Sequence, residues 1–179
     1  MRVSAVEGDL AQRRADALLT FMAVSSLAIG ALIYIFDRPP AAVYLLPQAL
    51  SLADEQKAWF GVLGGPLPEL VHVYAFILLT VVVSPWSRRA LFPICGFWWT
   101  IASLAELGQL PALAPRIAAL VPTWFQHVPV LSNTANYFSH GTFDLQDLVA
   151  VAIGSVGAFL SVNLVNANSR KCPAGSEHY

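Results

Sequence analysis

Residues 17–36 read ALLTFMAVSSLAIGALIYIF, a run without a single charged side chain. As a helix rising about 1.5 Å per residue, it spans roughly 30 Å, the thickness of a bilayer hydrocarbon core. Three further apolar blocks lie at about 66–86, 90–110 and 148–165. Runs of this length without alternation are typical of helices rather than barrel strands. The sequence therefore predicts an all-α polytopic membrane protein, a bundle of four transmembrane helices forming one domain over residues 1–179.

The composition favours the same class of protein. Only 12% of the 179 residues are charged, while 56% are hydrophobic, and the mean hydropathy is +0.60. That is about half the usual charged fraction, and a soluble domain of this length has too little interior to hide so much apolar surface. Disorder and an ordinary cytosolic enzyme are excluded. The formal net charge of −1 provides no basic surface for nucleic acid.

The basic residues predict the orientation of these spans. Most of the ten Lys and Arg residues fall at the same ends of the spans: Arg2, Arg13, Arg14, Arg88, Arg89, Arg170 and Lys171. Since basic residues concentrate on the cytoplasmic side, both termini are predicted to be cytoplasmic. Loops 37–65 and 111–147 then face outward, and seven of the 11 acids lie in these loops or at the adjacent ends of the spans. Because no convincing cleavage site precedes Asp37, the first span is interpreted as an uncleaved signal-anchor.

Short interfacial helices are predicted in both outer loops. Ser51 can cap one, with Asp54 three residues later and a stop at Gly64 and Gly65. Pro115 can start another, whose single apolar face lies on the membrane and contains Ile117, Leu120, Val121, Trp124 and Phe125. An ordinary loop is the alternative there. Residues 133–140 are predicted to be irregular, and Cys95 and Cys172 lie on different elements, so no disulfide is expected.

Three polar pairs are predicted to meet at the outer membrane level. Each pair is spaced i, i+3 on a different span, so that both members share a helix face: Glu69 and His72, Glu106 and Gln109, Asp144 and Asp147. Ionisable groups inside a span are costly and usually have partners and a function. These six residues therefore form the predicted ligand-binding site. No catalytic residue, metal ligand set or cofactor motif is identified.

Each pair also has a purely structural interpretation. Asp144 can be an N-cap with Asp147 in the first turn, Glu69 can favour the helix dipole, and His72 can be a packed interface histidine. Glu106 is harder to explain this way, because the dipole disfavours an anion near a helix C-terminus. It is expected to need a proton, a cation or a donor such as His72. Small residues on the fourth span predict close helix contact: Ala150, Gly154, Gly157, Ala158 and Ser161.

At these pairs the sequence resembles the VanZ-like family of small bacterial membrane proteins, over roughly residues 66–158. The resemblance rests on ELVH at 69–72 followed by VYAF, on ELGQ at 106–109, and on FDLQD at 143–147 followed by Gly154 and Gly157. The chain departs from the family pattern at Gly141, where Arg is frequent, and at Val151, where Asn is frequent. The resemblance implies a bacterial inner-membrane protein with a cell-envelope role, and it does not imply an enzyme.

Three hypotheses follow. The first is a non-enzymatic membrane protein whose outward-facing carboxylate and histidine pocket binds a lipid headgroup, an envelope precursor or a cation. The second is a structural or accessory subunit of a larger membrane protein complex. The third is a small intramembrane metal-dependent hydrolase that uses Glu106, His72 and an aspartate for acid–base chemistry. Membrane lipids are the expected partners in all three.

Overall fold

The computed structural model describes residues 2–37, 52, 59–84, 90–128, 131–132 and 134–171. These residues form helices and no strand, which confirms the all-α prediction. The helices are α1 (Arg2–Asp37), α2 (Leu67–Val83), α3 (Leu91–Leu107), α4 (Ala114–Leu120), α5 (Thr134–His140) and α6 (Leu145–Lys171). Two 3-10 turns lie at Gly61–Gly64 and Thr123–His127.

Two helices in the described part of the chain are long and apolar enough to cross a membrane. They are Gly8–Asp37 within α1 and Leu145–Ser169 within α6. The helices in the other two predicted spans, α2 and α3, are apolar but 17 residues long, about 25 Å at 1.5 Å per residue. Length and composition therefore support two candidate spans, and they do not support the four-span topology. Arg88 and Arg89, two of the basic residues on which the predicted orientation rests, lie outside the described residues.

Helix α2 lies at the centre of the bundle. Its buried side chains, among them Ile77 and Leu78, pack with residues of α1, α3 and α6 in one apolar core. Pro66 precedes its first residue and Pro68 lies in its first turn, where a missing backbone N–H costs no helical hydrogen bond. The four long helices thus share one core, and the N-terminal ends of α2 and α6 lie beside the C-terminal end of α3.

The predicted small-residue stripe of α6 faces α2. A Cβ placed on Gly154 would lie 2.5 Å from the backbone oxygen of Leu70, so only glycine allows this approach of the two helix backbones. One turn further along, Gly157 lies against the ring of Tyr74, and the Tyr74 hydroxyl is 3.0 Å from the Ser161 hydroxyl. Close backbone packing and one polar contact therefore hold the two helices together.

The segments that connect the long helices differ from the predicted ones. α4 ends at Leu120, because Val121 precedes Pro122 and takes an extended conformation, which the ring of the proline favours. The prediction of one apolar helical face from Ile117 to Phe125 is therefore wrong beyond Leu120. The prediction of an irregular segment is wrong for Thr134–His140, which forms α5. Ser51 and Asp54, the predicted start of a helix, lie outside the described residues.

The C-terminal end of α1 is hydrogen-bonded to the segment that precedes α2. The Asp37 carboxylate accepts hydrogen bonds from the backbone N–H groups of Trp59, at 2.7 Å, and Phe60, at 2.9 Å. Gly64 allows this approach, since a Cβ there would lie 2.6 Å from the Asp37 Oδ2 atom. The sequence did not single out Asp37 for this role, although a carboxylate that directly follows an apolar span is well placed to accept such bonds.

Candidate functional site

Two of the six predicted site residues are buried at the end of α3. Glu106, in the last turn of α3, is 4% exposed, and Gln109, just beyond it, is 8% exposed. The α4 and α5 helices cover this end of α3: a Cβ on the intervening Gly108 would lie 2.7 Å from the ring of Phe138 and 3.2 Å from Ile117. The loop that lies over the end of α3 therefore removes a carboxyl group and a carboxamide from solvent.

Glu106 reaches the start of α6. Its Oε1 atom accepts a hydrogen bond from the backbone N–H of Asp144 at 2.8 Å. The sequence suggested His72 as a possible donor to Glu106, whereas the donor in the structure is the Asp144 backbone N–H. Charged acceptors form the stronger class of hydrogen bonds with backbone N–H groups. The bond joins the C-terminal end of one helix to the residue that begins another.

Asp144 caps α6. Its Oδ1 atom accepts a hydrogen bond from the backbone N–H of Gln146 at 2.8 Å, as an N-cap side chain does. The structural interpretation of Asp144 is therefore confirmed. Asp147 lies in the first turn of the same helix, and both carboxylates are within electrostatic range of Glu106. Three carboxyl groups are thus gathered at the junction of α3 and α6.

Tyr137 of α5 lies near these carboxyl groups, and the sequence did not reveal its role. Its side chain hydrogen-bonds with that of Gln109, and Gly141 lies close against the same carboxamide. Burial raises the pKa of Tyr137, and the nearby negative charges of Glu69 and Glu106 raise it further, whereas the bond to Gln109 lowers it. The phenol therefore stays neutral. Because Glu69 and Glu106 both act on Tyr137, the two carboxyl groups lie near the same side chain.

His72 lies on the α1 side of the cluster. Its ring stacks on Tyr34, with centroids 5.8 Å apart, and on Phe76, with centroids 6.0 Å apart. Gly30 of α1 faces it, since a Cβ there would lie 3.6 Å from the His72 Nε2 atom. These contacts match the alternative of a packed interface histidine. The structure thus brings Glu106, Gln109, Asp144 and Asp147 together, with Glu69 near Tyr137, and it packs His72 between aromatic rings.

The described residues contain no group of three or more His, Cys, Asp or Glu side chains arranged to hold a metal ion. Cys95, the one cysteine in that part of the chain, is a buried free thiol in the apolar core. The hypothesis of a metal-dependent hydrolase is therefore left without a ligand set in the described residues.

An apolar groove lies between the N-terminal ends of α2 and α6. It has a volume of about 410 Å³, and nearly all of its surface is hydrocarbon. Its lining comes from the turn before α2, from α2 itself and from α6: Leu63, Pro66, Leu67, Leu70, Leu145, Gln146, Val149, Ala150 and Ile153. The size is within the range of about 300–1,000 Å³ that is usual for small-molecule sites.

Comparison with known proteins provides no family assignment. No protein-family model matches the chain, and neither the curated proteins nor the solved structures contain a significant match.

Proposed function

We propose that this chain is a VanZ-like inner-membrane protein of bacteria that binds a cationic group at the acidic cluster of α2, α3 and α6. The acidic cluster consists of Glu69, Glu106, Asp144 and Asp147. The cationic group belongs to a lipid headgroup or an envelope precursor, or it is a free cation. The proposed role is binding and not catalysis.

The membrane part of the proposal rests on α1 and α6. Both contain stretches with a mean hydropathy of 2.2 over 18 residues, long enough to span a bilayer. In the proposed topology α2 and α3 complete a four-helix bundle with them, because all four share one apolar core. The short α4 and α5 then lie at the outer surface, and both termini are cytoplasmic.

The observation that carries the binding proposal is the environment of Glu106. Glu106 is 4% exposed, its carboxylate accepts a hydrogen bond from the neutral backbone N–H of Asp144, and two further carboxylates lie nearby. A neutral N–H satisfies one lone pair and compensates no charge. A buried carboxylate with other carboxylates beside it favours a bound proton or cation. A ligand that brings an ammonium group or a cation to the cluster would therefore be bound favourably.

Lipid selectivity tests the proposal directly. The full chain is reconstituted in bilayers of equal parts phosphatidylethanolamine and phosphatidylglycerol with identical acyl chains, and the lipids that remain bound after extraction are quantified by mass spectrometry. We expect the wild type to enrich the ammonium-bearing lipid. Glu106→Gln keeps an oxygen for the Asp144 N–H but removes the charge, and we expect it to lose most of that enrichment.

Asp9→Asn provides the matched control. Asp9 is exposed at the other end of α1, where it pairs with Arg13 at 2.9 Å, so neutralising it leaves the acidic cluster unchanged. The control should retain the wild-type selectivity. Equal selectivity in wild type, Glu106→Gln and Asp9→Asn would refute the proposed binding function. The accessory-subunit hypothesis stays a prediction.

A further inference from the structure

The apolar groove opens along the side of a candidate membrane span. Val149 and Ile153 line it from α6 and are 52% and 56% exposed, and both fall within the span Leu145–Ser169. Leu63 forms part of the opposite wall and is 65% exposed. From Leu145 to Ile153 the helix rises about 12 Å, which extends from the membrane surface into the region of the lipid chains.

The groove and the acidic cluster are built from the same helix ends. Leu70, in the groove wall, directly follows Glu69, and Gln146, also in the wall, lies between Asp144 and Asp147 in the chain. Chain connectivity therefore keeps carboxylates near the N-terminal end of α6 in the groove, while nearly all of the groove lining is hydrocarbon. This pairing of an anionic end with an apolar trough is complementary to an amphiphile that has a cationic group and a chain.

A trough on a lipid-facing surface has to be filled by hydrocarbon. An empty one forfeits the dispersion contacts of its lining, and water has no polar partners there apart from Gln146. Inside a bilayer, tight van der Waals packing rather than the hydrophobic effect determines which molecule stays bound to a protein surface. A flexible acyl chain can follow such a trough closely.

We infer that the groove holds one acyl chain of a phospholipid whose ammonium-bearing headgroup lies at the acidic cluster. This inference rests on the proposed function, to which it adds the class of ligand and the position of its chain. A second copy of the protein is a poorer occupant. A symmetric contact through this groove would bring the acidic ends of two α6 helices together, and like charges repel at short range.

Two matched tryptophan substitutions on α6 test the inference. Val149→Trp fills the groove, whereas Val156→Trp places the same side chain at a position that is 59% exposed and outside the groove. The full chain is reconstituted with the same phosphatidylethanolamine and phosphatidylglycerol mixture, washed in mild detergent and analysed by native mass spectrometry. We expect wild type and Val156→Trp to retain one lipid, and Val149→Trp to retain about tenfold less.

A second blocking variant protects the test against misfolding. Leu63→Trp approaches the groove from the turn before α2, and its effect on lipid retention should match that of Val149→Trp. Unchanged lipid retention in both blocking variants would overturn the inference. So would a wild-type dimer that the blocking variants convert to monomer without changing lipid retention, since a second copy would then be the occupant.

The same measurement separates this inference from the proposed function. If Glu106→Gln keeps the preference for phosphatidylethanolamine while Val149→Trp loses the lipid, the acyl-chain groove stands and the cation-binding proposal fails. If Glu106→Gln loses that preference while Val149→Trp retains the lipid, the groove assignment fails and the proposed function stands. The expected result is loss of preference in the first variant and loss of lipid in the second.

Discussion

Glu106 and Asp144 are joined by a 2.8 Å hydrogen bond from the Asp144 backbone N–H to the Glu106 carboxylate, while the Asp144 side chain caps α6. Asp144 thus caps the N-terminus of α6 with its side chain and binds the C-terminal end of α3 through its backbone N–H. The helix dipole disfavours an anion at the end of α3, but the N-terminal end of α6 favours one. The buried position of Glu106 is therefore supported by the helix it contacts rather than by the helix that carries it.

Removing the Glu106 side chain should destabilise this junction. Glu106→Ala leaves the partly buried Asp144 N–H without this charged acceptor, which costs about 1–3 kcal/mol in the free energy of unfolding. Glu106→Gln retains an oxygen acceptor of the same length and should cost less than about 1 kcal/mol. Denaturant unfolding of the full chain in detergent measures both. Equal destabilisation by the two variants would show that charge, and not this hydrogen bond, holds the junction.

The close crossing of α2 and α6 depends on the absence of a side chain at Gly154. Gly154→Ala would place a Cβ 2.5 Å from the backbone oxygen of Leu70, and a backbone atom cannot move aside as a side chain does. We expect a loss of about 1–3 kcal/mol in the free energy of unfolding. Gly96 of α3 is the control, because nothing lies within 4 Å of a Cβ there. Gly96→Ala should be neutral or stabilising by up to about 1 kcal/mol.

The long helices and the polar pairs could be predicted from the sequence because they depend on local patterns. Apolar runs locate α1, α2, α3 and α6, and the spacing of Glu106 and Gln109 predicts that both are found together at the end of α3, where both are buried. The ends of α2 and α3 could not be predicted in this way. Hydropathy continues beyond the point where the backbone leaves the helix, so the second and third predicted spans exceed α2 and α3, whereas α1 and α6 extend beyond their apolar runs into polar sequence.

The covering of the site could not be predicted, because it depends on contacts between distant segments. Residues 133–140 appeared irregular since they are polar on average, yet Phe138 packs over Gly108 and Tyr137 bonds with Gln109. One local signal was available: Gly141 directly follows the helix, as a C-terminal glycine often does. Likewise, the donor to Glu106 is a main-chain group of a residue 38 positions away, and no side-chain pattern identifies such a donor.

The role of Tyr137 gives a pH-dependent prediction. Its pKa in the folded protein is raised, so the stability that its neutral phenol contributes is fully present below the unfolded pKa of about 10 and is lost as the pH rises above it. Tyr137→Phe should therefore be less stable than wild type at pH 7, by about 1 kcal/mol for the lost bond to Gln109. The difference should shrink in alkaline solution. A difference that stays constant over that range, in parallel unfolding curves, would contradict the prediction.

The contact between Asp37 and the turn before α2 predicts a local change in backbone protection. Asp37→Ala removes the acceptor of two N–H groups, so the amides of Trp59 and Phe60 should exchange with deuterium about tenfold faster, as the loss of one hydrogen bond of roughly 1.4 kcal/mol would allow. Asp37→Asn keeps one oxygen that can accept a hydrogen bond and should have an intermediate effect. Hydrogen exchange followed by mass spectrometry on peptides that cover residues 59–65 measures both.

A glycine pair in the same turn tests whether the position of the Asp37 carboxylate, and not only its presence, matters. Gly64→Ala would bring a Cβ to within 2.6 Å of Asp37 Oδ2 and push the carboxylate away from the N–H groups, so exchange at Trp59 and Phe60 should accelerate as in Asp37→Ala. The nearest atom to a Cβ on the adjacent Gly65 is the Val62 backbone oxygen, at an ordinary 3.8 Å. Gly65→Ala should therefore leave the exchange rates unchanged. Equal rates in the two glycine variants would mean that the turn is held by contacts other than those of Asp37.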